Sequence, residues 1–135
     1  MTLVDAGPLV ALIDAGEPDH AGCRAAFGEL RLPLVTTWPA FTEAIYLLGR
    51  AAGWPGQRAL WRMVERQLLA IEDLSHEQVE RSRTLMERYA DHPMDLADAT
   101  LVALAEAREL RTVFTLDGDF RSYRLRGGHH LEVIP

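Results

Sequence analysis

Short apolar runs recur along this chain, separated by longer stretches in which polar and apolar residues mix. Runs of this length that are rich in leucine, valine and isoleucine predict buried β-strands. The chain is therefore expected to contain five strands. They cover residues 3–4, 32–36, 69–74, 112–115 and 131–134.

Between the runs, apolar residues recur every three or four positions, which is the spacing of one helix face. Pro8 and Pro18 lie where helices would begin, and Ser75 with Gln78 three residues later forms a capping-box pattern. The segment Gly49–Gly53 indicates a break between two helices. The predicted helices cover residues 7–14, 17–30, 38–49, 55–68, 75–89 and 95–110.

Strands and helices alternate along the whole chain. This order predicts an α/β fold with a mostly parallel central sheet and helices on both faces. No repeat, low-complexity tract or linker interrupts the pattern, so we expect one domain over residues 1–135. Functional sites in such sheets lie at the carboxyl ends of the strands, and Asp5 and Asp117 fall at two of these ends.

Acidic residues stand beside these apolar elements in four short motifs. If folding brings them together, two carboxylates about 4 Å apart repel by roughly 4 kcal/mol at an effective dielectric near 20. A hard divalent cation with oxygen ligands is the usual compensation, so the pattern predicts a metal site. The motifs are Val4-Asp5-Ala6, Thr42-Glu43-Ala44, Asp95-Leu96-Ala97-Asp98 and Thr115-Leu116-Asp117-Gly118-Asp119.

Each acid also has an ordinary structural interpretation. Asp5 and Asp95 each precede a predicted helix and would serve as N-caps. Asp117, followed by a glycine, is typical of a turn, and Glu43 fits a solvated helix face. Asp98 is harder to explain, because aspartate is a poor helix former and its neighbours are apolar. The metal-site prediction depends on all of these signals pointing to one place.

Charge and composition narrow the function classes. A net charge of −6 argues against a protein that coats nucleic acid but is compatible with a metal-loaded nuclease. All basic residues are arginine, and the absence of lysine excludes a P-loop and Schiff-base catalysis and disfavours a phospho-receiver domain. Cys23 is alone and is expected in the core. No apolar run has the length of a membrane span, and no signal peptide is visible, so we expect a cytoplasmic protein with no membrane partner.

The order and spacing of the acidic motifs resemble those of PIN-domain proteins, in particular the VapC-type ribonuclease toxins of bacterial toxin–antitoxin pairs. The resemblance covers essentially the whole chain. It implies a Rossmann-like, three-layer α/β/α fold and an acidic site that holds Mg²⁺ or Mn²⁺. The motifs that carry it are Leu3-Val4-Asp5, Thr42-Glu43, the segment Asp98–Ala105, and Val113–Asp117 with Asp119-Phe120 after it.

The resemblance also implies which residues form the site. The catalytic and metal-binding acids carried over by motif are Asp5, Glu43, Asp98 and Asp117. Additional candidates beside them are Asp95, Asp119 and Thr115. There is one departure: the family often has serine or threonine two residues after the first aspartate, where this chain has Gly7.

The residue chemistry agrees with a nuclease. Cleavage of a phosphodiester bond needs an activated water and stabilised charge on the phosphate, and divalent ions held by carboxylates supply both. A carboxylate that is not bound to metal can accept the proton of the water. The resemblance to ribonuclease toxins implies that the substrate is RNA. The densest basic cluster follows the Asp117 motif and supplies candidate phosphate contacts, namely Arg121, Arg124 and Arg126.

The resemblance also implies protein partners, namely a second copy of the chain and an antitoxin. PIN toxins of this kind usually form homodimers, and an antitoxin segment covers the active-site groove. Residues 38–68 carry more large apolar side chains than one core needs, which favours an interface; they include Trp38, Phe41, Tyr46, Trp54, Trp61 and Met63. Two alternatives stay open at this point: a PIN nuclease of RNA processing without an antitoxin, and an inactive PIN scaffold acting as a binding module. The second is disfavoured because all four acids are present.

Overall fold

Five strands form one sheet in the computed structural model, which describes residues 1–135. The strand order is β3-β2-β1-β4-β5, and every neighbouring pair is parallel. The predicted mostly parallel sheet is thus entirely parallel. The strands are β1 (Thr2–Val4), β2 (Leu34–Thr37), β3 (Leu69–Glu72), β4 (Thr112–Phe114) and β5 (Glu132–Ile134).

Five α-helices cover the two faces of the sheet. They are α1 (Ala6–Ile13), α2 (His20–Phe27), α3 (Trp38–Glu65), α4 (His76–Arg88) and α5 (Leu96–Arg108). A short 3₁₀ helix, Gly118–Arg121, follows β4 and has no counterpart in the sequence prediction. The second helix was predicted to begin at residue 17, but it begins at His20 because backbone turns occupy the residues after Glu17.

The two helices predicted on either side of Gly53 are both present and meet at a kink within α3. Gly53 has φ 64° and ψ −158°, a conformation that residues with a side chain rarely adopt. Pro55 follows at once and fits the first turn of the resumed helix. The break therefore lies where the sequence placed it.

Strand side chains alternate between two cores, one on each face of the sheet. Leu3 faces a core formed mainly with α4 and α5, and Val4 faces a core formed mainly with α1, α2 and α3. Cys23 is fully buried in the second core, as the sequence predicted. Both cores fix the helices against the sheet, so the residues at the strand ends have defined positions. No helix is long and apolar enough to cross a membrane.

Candidate active site

Acidic side chains from separate parts of the chain line one cavity at the carboxyl edge of the sheet. The cavity has a volume of about 270 Å³ and is open to solvent. The predicted convergence of the four motifs is therefore observed. The lining residues are Asp5, Gly7, Glu43, Asp95, Asp98, Leu116 and Asp117.

Asp5 lies between the central strand β1 and helix α1. Its Oδ1 accepts a hydrogen bond of 2.8 Å from the Ala6 backbone N–H, so the residue is the N-cap of α1. Its Oδ2 accepts a hydrogen bond of 3.0 Å from the Thr115 hydroxyl. The Thr115 Oγ1 in turn accepts a bond of 3.0 Å from the Asp117 backbone N–H. Thr115 thus connects the first acid to the loop that carries the last one.

Asp95 and Asp98 both project from the start of α5. Asp95 Oδ1 accepts a 2.8 Å hydrogen bond from the Asp98 backbone N–H and caps the helix. Asp98 is buried, and its Oδ2 accepts a 2.8 Å hydrogen bond from the hydroxyl of Tyr123. The two residues share one helix face but differ in environment, because Asp95 is exposed.

Glu43 and Asp117 also line the cavity. Glu43 lies on α3, is exposed, and has no hydrogen-bond partner in the protein. Asp117 follows β4, and its Oδ1 accepts a 2.9 Å hydrogen bond from the Asp119 backbone N–H. Asp117 is therefore the cap of the 3₁₀ helix as well as a cavity residue. Three of the acids therefore cap a helix and line the cavity at the same time, namely Asp5, Asp95 and Asp117.

Desolvation and mutual repulsion raise the pKa values of three of the cavity acids, Asp98, Asp5 and Glu43. Loss of hydration raises the pKa of Asp98 to about 8, with further contributions from Asp95, Asp5 and Asp117, although the Tyr123 hydrogen bond opposes the shift. The pKa values of Asp5 and Glu43 are also raised, first by desolvation and then by the neighbouring acids. No cationic side chain lines the cavity to offset this repulsion.

The carboxylate oxygens that line the cavity are suitable ligands for a hard divalent cation. Carboxylate oxygens are the ligands that Mg²⁺ and Mn²⁺ prefer, and an uncompensated group of acids is stabilised by such an ion. As the side chains stand, no three of them converge tightly enough to form a coordination sphere. The acids would therefore have to turn toward a common point on binding, and mutual repulsion favours the spread arrangement without an ion.

The family model described as PIN domain matches residues 2–125 of this chain. The chain belongs to the PIN-domain family. A curated relative, Ribonuclease VapC26 of Mycobacterium tuberculosis, is 29% identical over 134 residues, covering 98% of this chain and 99% of the relative.

Solved structures share this PIN fold. VapC20 of Mycobacterium tuberculosis, described as a Sarcin-Ricin loop cleaving toxin, superposes with a TM-score of 0.86 at 21% identity and full coverage of both chains. VapBC2 from Rickettsia felis, bound to a DNA fragment from its promoter, gives 0.68 at 12% identity, covering 99% of this chain and 98% of that one. A toxin–antitoxin complex from Klebsiella pneumoniae gives 0.68 at 21% identity, covering 89% and 90%.

The structure separates other predicted residues from the PIN-domain cavity. Asp119 is exposed and does not line the cavity. Arg126 lines a different groove, between α4 and α5, where its backbone N–H donates to Glu106. The Arg124 guanidinium bonds to His130, and Arg121 is exposed at the end of the 3₁₀ helix. None of the three arginines lines the cavity.

Sequence reasoning did not identify Tyr123, whose hydroxyl contacts Asp98. The two residues are 25 positions apart and no local pattern links them. The available signal was weak: a tyrosine soon after the Asp117 motif, between Ser122 and Arg124.

Proposed function

We propose that this chain is a divalent-metal-dependent endoribonuclease and acts as the toxin of a toxin–antitoxin pair. The observation that carries the proposal is one cavity lined by acids from the ends of β1 and β4 and from α3 and α5. Membership of the PIN-domain family and the resemblance along nearly full length to a protein named a ribonuclease support the same activity.

Four residues would hold Mg²⁺ or Mn²⁺ and act in catalysis, namely Asp5, Glu43, Asp98 and Asp117. Asp95 would add negative charge at the rim. When bound, the ion would supply an activated water and neutralise charge on the phosphate. Glu43 has no hydrogen-bond partner in the protein, so its carboxylate can take one of two roles: it can bind the ion, or it can stay unbound and accept the proton of the attacking water. Asp5 is less suited to accept this proton than Glu43, because its Oδ2 already accepts a hydrogen bond from the Thr115 hydroxyl.

The RNA strand needs cations beside an acidic cavity, and we assign this role to Arg121 and Arg124. Both are exposed and follow Asp117 by a few residues: Arg121 is the last residue of the 3₁₀ helix, and Arg124 lies three residues beyond it. Arginine binds phosphate through two parallel N–H donors, which suits this task. Arg126 is not included because it faces the groove between α4 and α5.

We propose that α3 carries the partner surfaces. Trp38, Tyr46 and Trp54 are 45%, 59% and 58% exposed, whereas Phe41 is buried. Rings of Trp38 and Trp61 pack edge-on against Phe41, with centroids 5.8 Å and 4.9 Å away, so two partly exposed tryptophans flank one buried ring. Exposed aromatic groups of this size mark interfaces. We expect them to serve a homodimer and a cognate antitoxin.

The antitoxin would meet an acidic groove. A basic residue from its inhibitory segment can pair with the carboxylates in the place of the metal. The Rickettsia felis and Klebsiella pneumoniae structures described above are toxin–antitoxin assemblies, and their shared fold supports the proposal. An RNA substrate and such a partner would be met in the cytoplasm, which we propose as the location.

A ribonuclease assay tests the activity. Wild-type protein should cleave RNA with Mg²⁺ or Mn²⁺ and lose activity in EDTA, and Asp5→Asn should abolish cleavage. Asp119→Asn is the matched control, since it removes an equal charge that does not line the cavity. Activity retained in Asp5→Asn would refute the site assignment, and no cleavage by wild type would favour a binding scaffold.

A second experiment separates toxin from processing enzyme. Expression of the wild type should arrest bacterial growth, and coexpression of a small protein encoded beside it should restore growth. Harmless expression of a catalytically active protein would favour a processing role. Light scattering at micromolar concentration should give a dimer, and a monomer would refute the proposed homodimer.

A further inference from the structure

Tyr123 lies in the segment after the 3₁₀ helix, outside every acidic motif of the chain. It is 1% exposed, and its hydroxyl donates a 2.8 Å hydrogen bond to Oδ2 of Asp98. This is the one hydrogen bond from another side chain to that carboxylate. Asp98 Oδ1 makes no hydrogen bond to the protein, and the residue lines the acidic cavity.

The position of the Tyr123 hydroxyl is fixed by its surroundings. The ring packs edge-on against Tyr89 and Phe120, with centroids 5.2 Å and 5.3 Å away. Aromatic pairs in this geometry prefer a narrow range of orientations. Phe120 belongs to the 3₁₀ helix that Asp117 caps. The same cluster of rings therefore contacts both the loop that carries Asp117 and, through the hydroxyl, the carboxylate of Asp98.

We propose that Tyr123 is a positioning residue for the acidic site: by holding Oδ2 of Asp98 it fixes the carboxylate plane and leaves Oδ1 directed toward the cavity and a bound divalent cation. The inference rests on the proposed function in that it takes the cavity as the ion site. Partners that orient a metal ligand by a hydrogen bond commonly change metal affinity 10–100-fold when removed. Asp98 is buried, and its one side-chain partner is the Tyr123 hydroxyl. Replacing Tyr123 by phenylalanine removes this hydroxyl oxygen and nothing else.

A purely structural role is the competing explanation. A buried tyrosine needs a hydrogen-bond partner, and Asp98 could serve only to satisfy it. That explanation predicts lower stability on removal of the hydroxyl, with no specific effect on ion binding. The two roles therefore differ in a measurable quantity, the affinity for the ion.

The test is Tyr123→Phe, which deletes the hydroxyl oxygen and keeps the ring. Tyr89→Phe is the matched control: it deletes the same atom from the neighbouring ring, where the hydroxyl accepts a bond from the Arg124 backbone N–H and does not touch Asp98. Mn²⁺ binding to the full chain is measured by titration calorimetry. We expect about a 10-fold loss of affinity in Tyr123→Phe and an unchanged affinity in Tyr89→Phe.

The Asp98→Asn background completes the cycle. If Tyr123 acts through Asp98, adding Tyr123→Phe to Asp98→Asn should change Mn²⁺ affinity no further. Circular dichroism and a melting curve in EDTA establish that each variant is folded. Equal affinities of Tyr123→Phe and wild type overturn the inference, and so does an equal loss in Tyr89→Phe or the absence of any Mn²⁺ binding by wild type. Failure of RNA cleavage alone would refute the proposed function and not this inference, because ion binding is measured without RNA.

Discussion

Asp98→Asn should stabilise the protein in the absence of metal while destroying its function. The carboxyl group is buried beside three other acids, so its ionised form is unfavourable in the folded chain. Asparagine has nearly the same shape and can still accept the Tyr123 hydrogen bond through its Oδ1. It carries no charge, so the repulsion from Asp5, Asp95 and Asp117 disappears.

The magnitude follows from the pKa. Asp98 has a pKa of about 8 in the folded protein and 3.8 as the reference value for an unfolded chain. One unit corresponds to about 1.4 kcal/mol, so at pH 7 the folded state is disfavoured by up to about 4 kcal/mol. Flexible side chains and the new amide group reduce the gain, and we expect about 1–3 kcal/mol. For a domain of this size that is a rise in Tm of roughly 4–12 °C.

The raised pKa of Asp98 also determines the direction in which stability changes with pH. Because the folded pKa lies above the unfolded one, the folded state holds a proton that the unfolded state has released between about pH 4 and pH 8. The destabilisation of the wild type is therefore absent below this window and complete above it. The stability gain of Asp98→Asn should grow as pH rises from 5 to 8. Asp5 and Glu43 keep their raised pKa values, so the variant retains a weaker pH dependence.

The assay is thermal unfolding in EDTA at several pH values between 5 and 8, with Asp119→Asn as the control for loss of an exposed acid. Addition of Mn²⁺ should raise the Tm of wild type more than that of Asp98→Asn, since a ligand stabilises the state that binds it. A Tm for Asp98→Asn at or below wild type at pH 8 would refute the electrostatic argument. A gain that does not change with pH would show that some other effect stabilises the variant.

Three further changes test other parts of the structure. Thr115→Val removes the donor to Asp5 and the acceptor for the Asp117 backbone N–H, so it should cost about 1–3 kcal/mol in urea unfolding and also weaken Mn²⁺ binding; an unchanged affinity would show that Thr115 does not support the site. Gly7→Ala should raise the free energy of unfolding by about 0.5–1 kcal/mol, because glycine inside helix α1 costs more conformational entropy than alanine. The added Cβ would lie 3.6–3.9 Å from Leu116 side-chain atoms, and a lower Tm would contradict this prediction. Glu106→Ala should lose about 3 kcal/mol, because it leaves the largely buried Arg81 guanidinium without its two hydrogen bonds of 2.8 and 2.9 Å; a loss below 1 kcal/mol would mean that water replaces them.

Local sequence determined most of the secondary structure. The Ser75 and Gln78 pair forms the predicted reciprocal cap at the start of α4, and Asp95 caps α5 where the pattern placed it. These signals depend on atoms within one helical turn, so a short stretch of sequence contains all the information. The kink at Gly53 was visible for the same reason, since its backbone conformation depends on the absence of a side chain.

The general location of the acids was also predictable. Asp5 and Asp117 follow strands, and parallel strands that neighbour each other end at the same edge of the sheet. The sequence could not show that β1 and β4 are neighbours, because strand order depends on contacts between distant segments. Nor could it show that Asp119, two residues beyond Asp117, does not line the cavity.

Tertiary structure alone decided the environment of each acid. Asp5, Asp95 and Asp117 make local hydrogen bonds to backbone N–H groups one to three residues ahead. The pairing of β1 with β4 and the packing of α5 against the sheet bring the three residues into one cavity. The raised pKa of Asp98 and its contact with Tyr123 arise from residues far away in the chain. The sequence by itself determined the caps, the kink and the alternation of elements, because these are interactions within a few residues. Desolvation, repulsion and long-range hydrogen bonds depend on distances in space, and folding sets those distances.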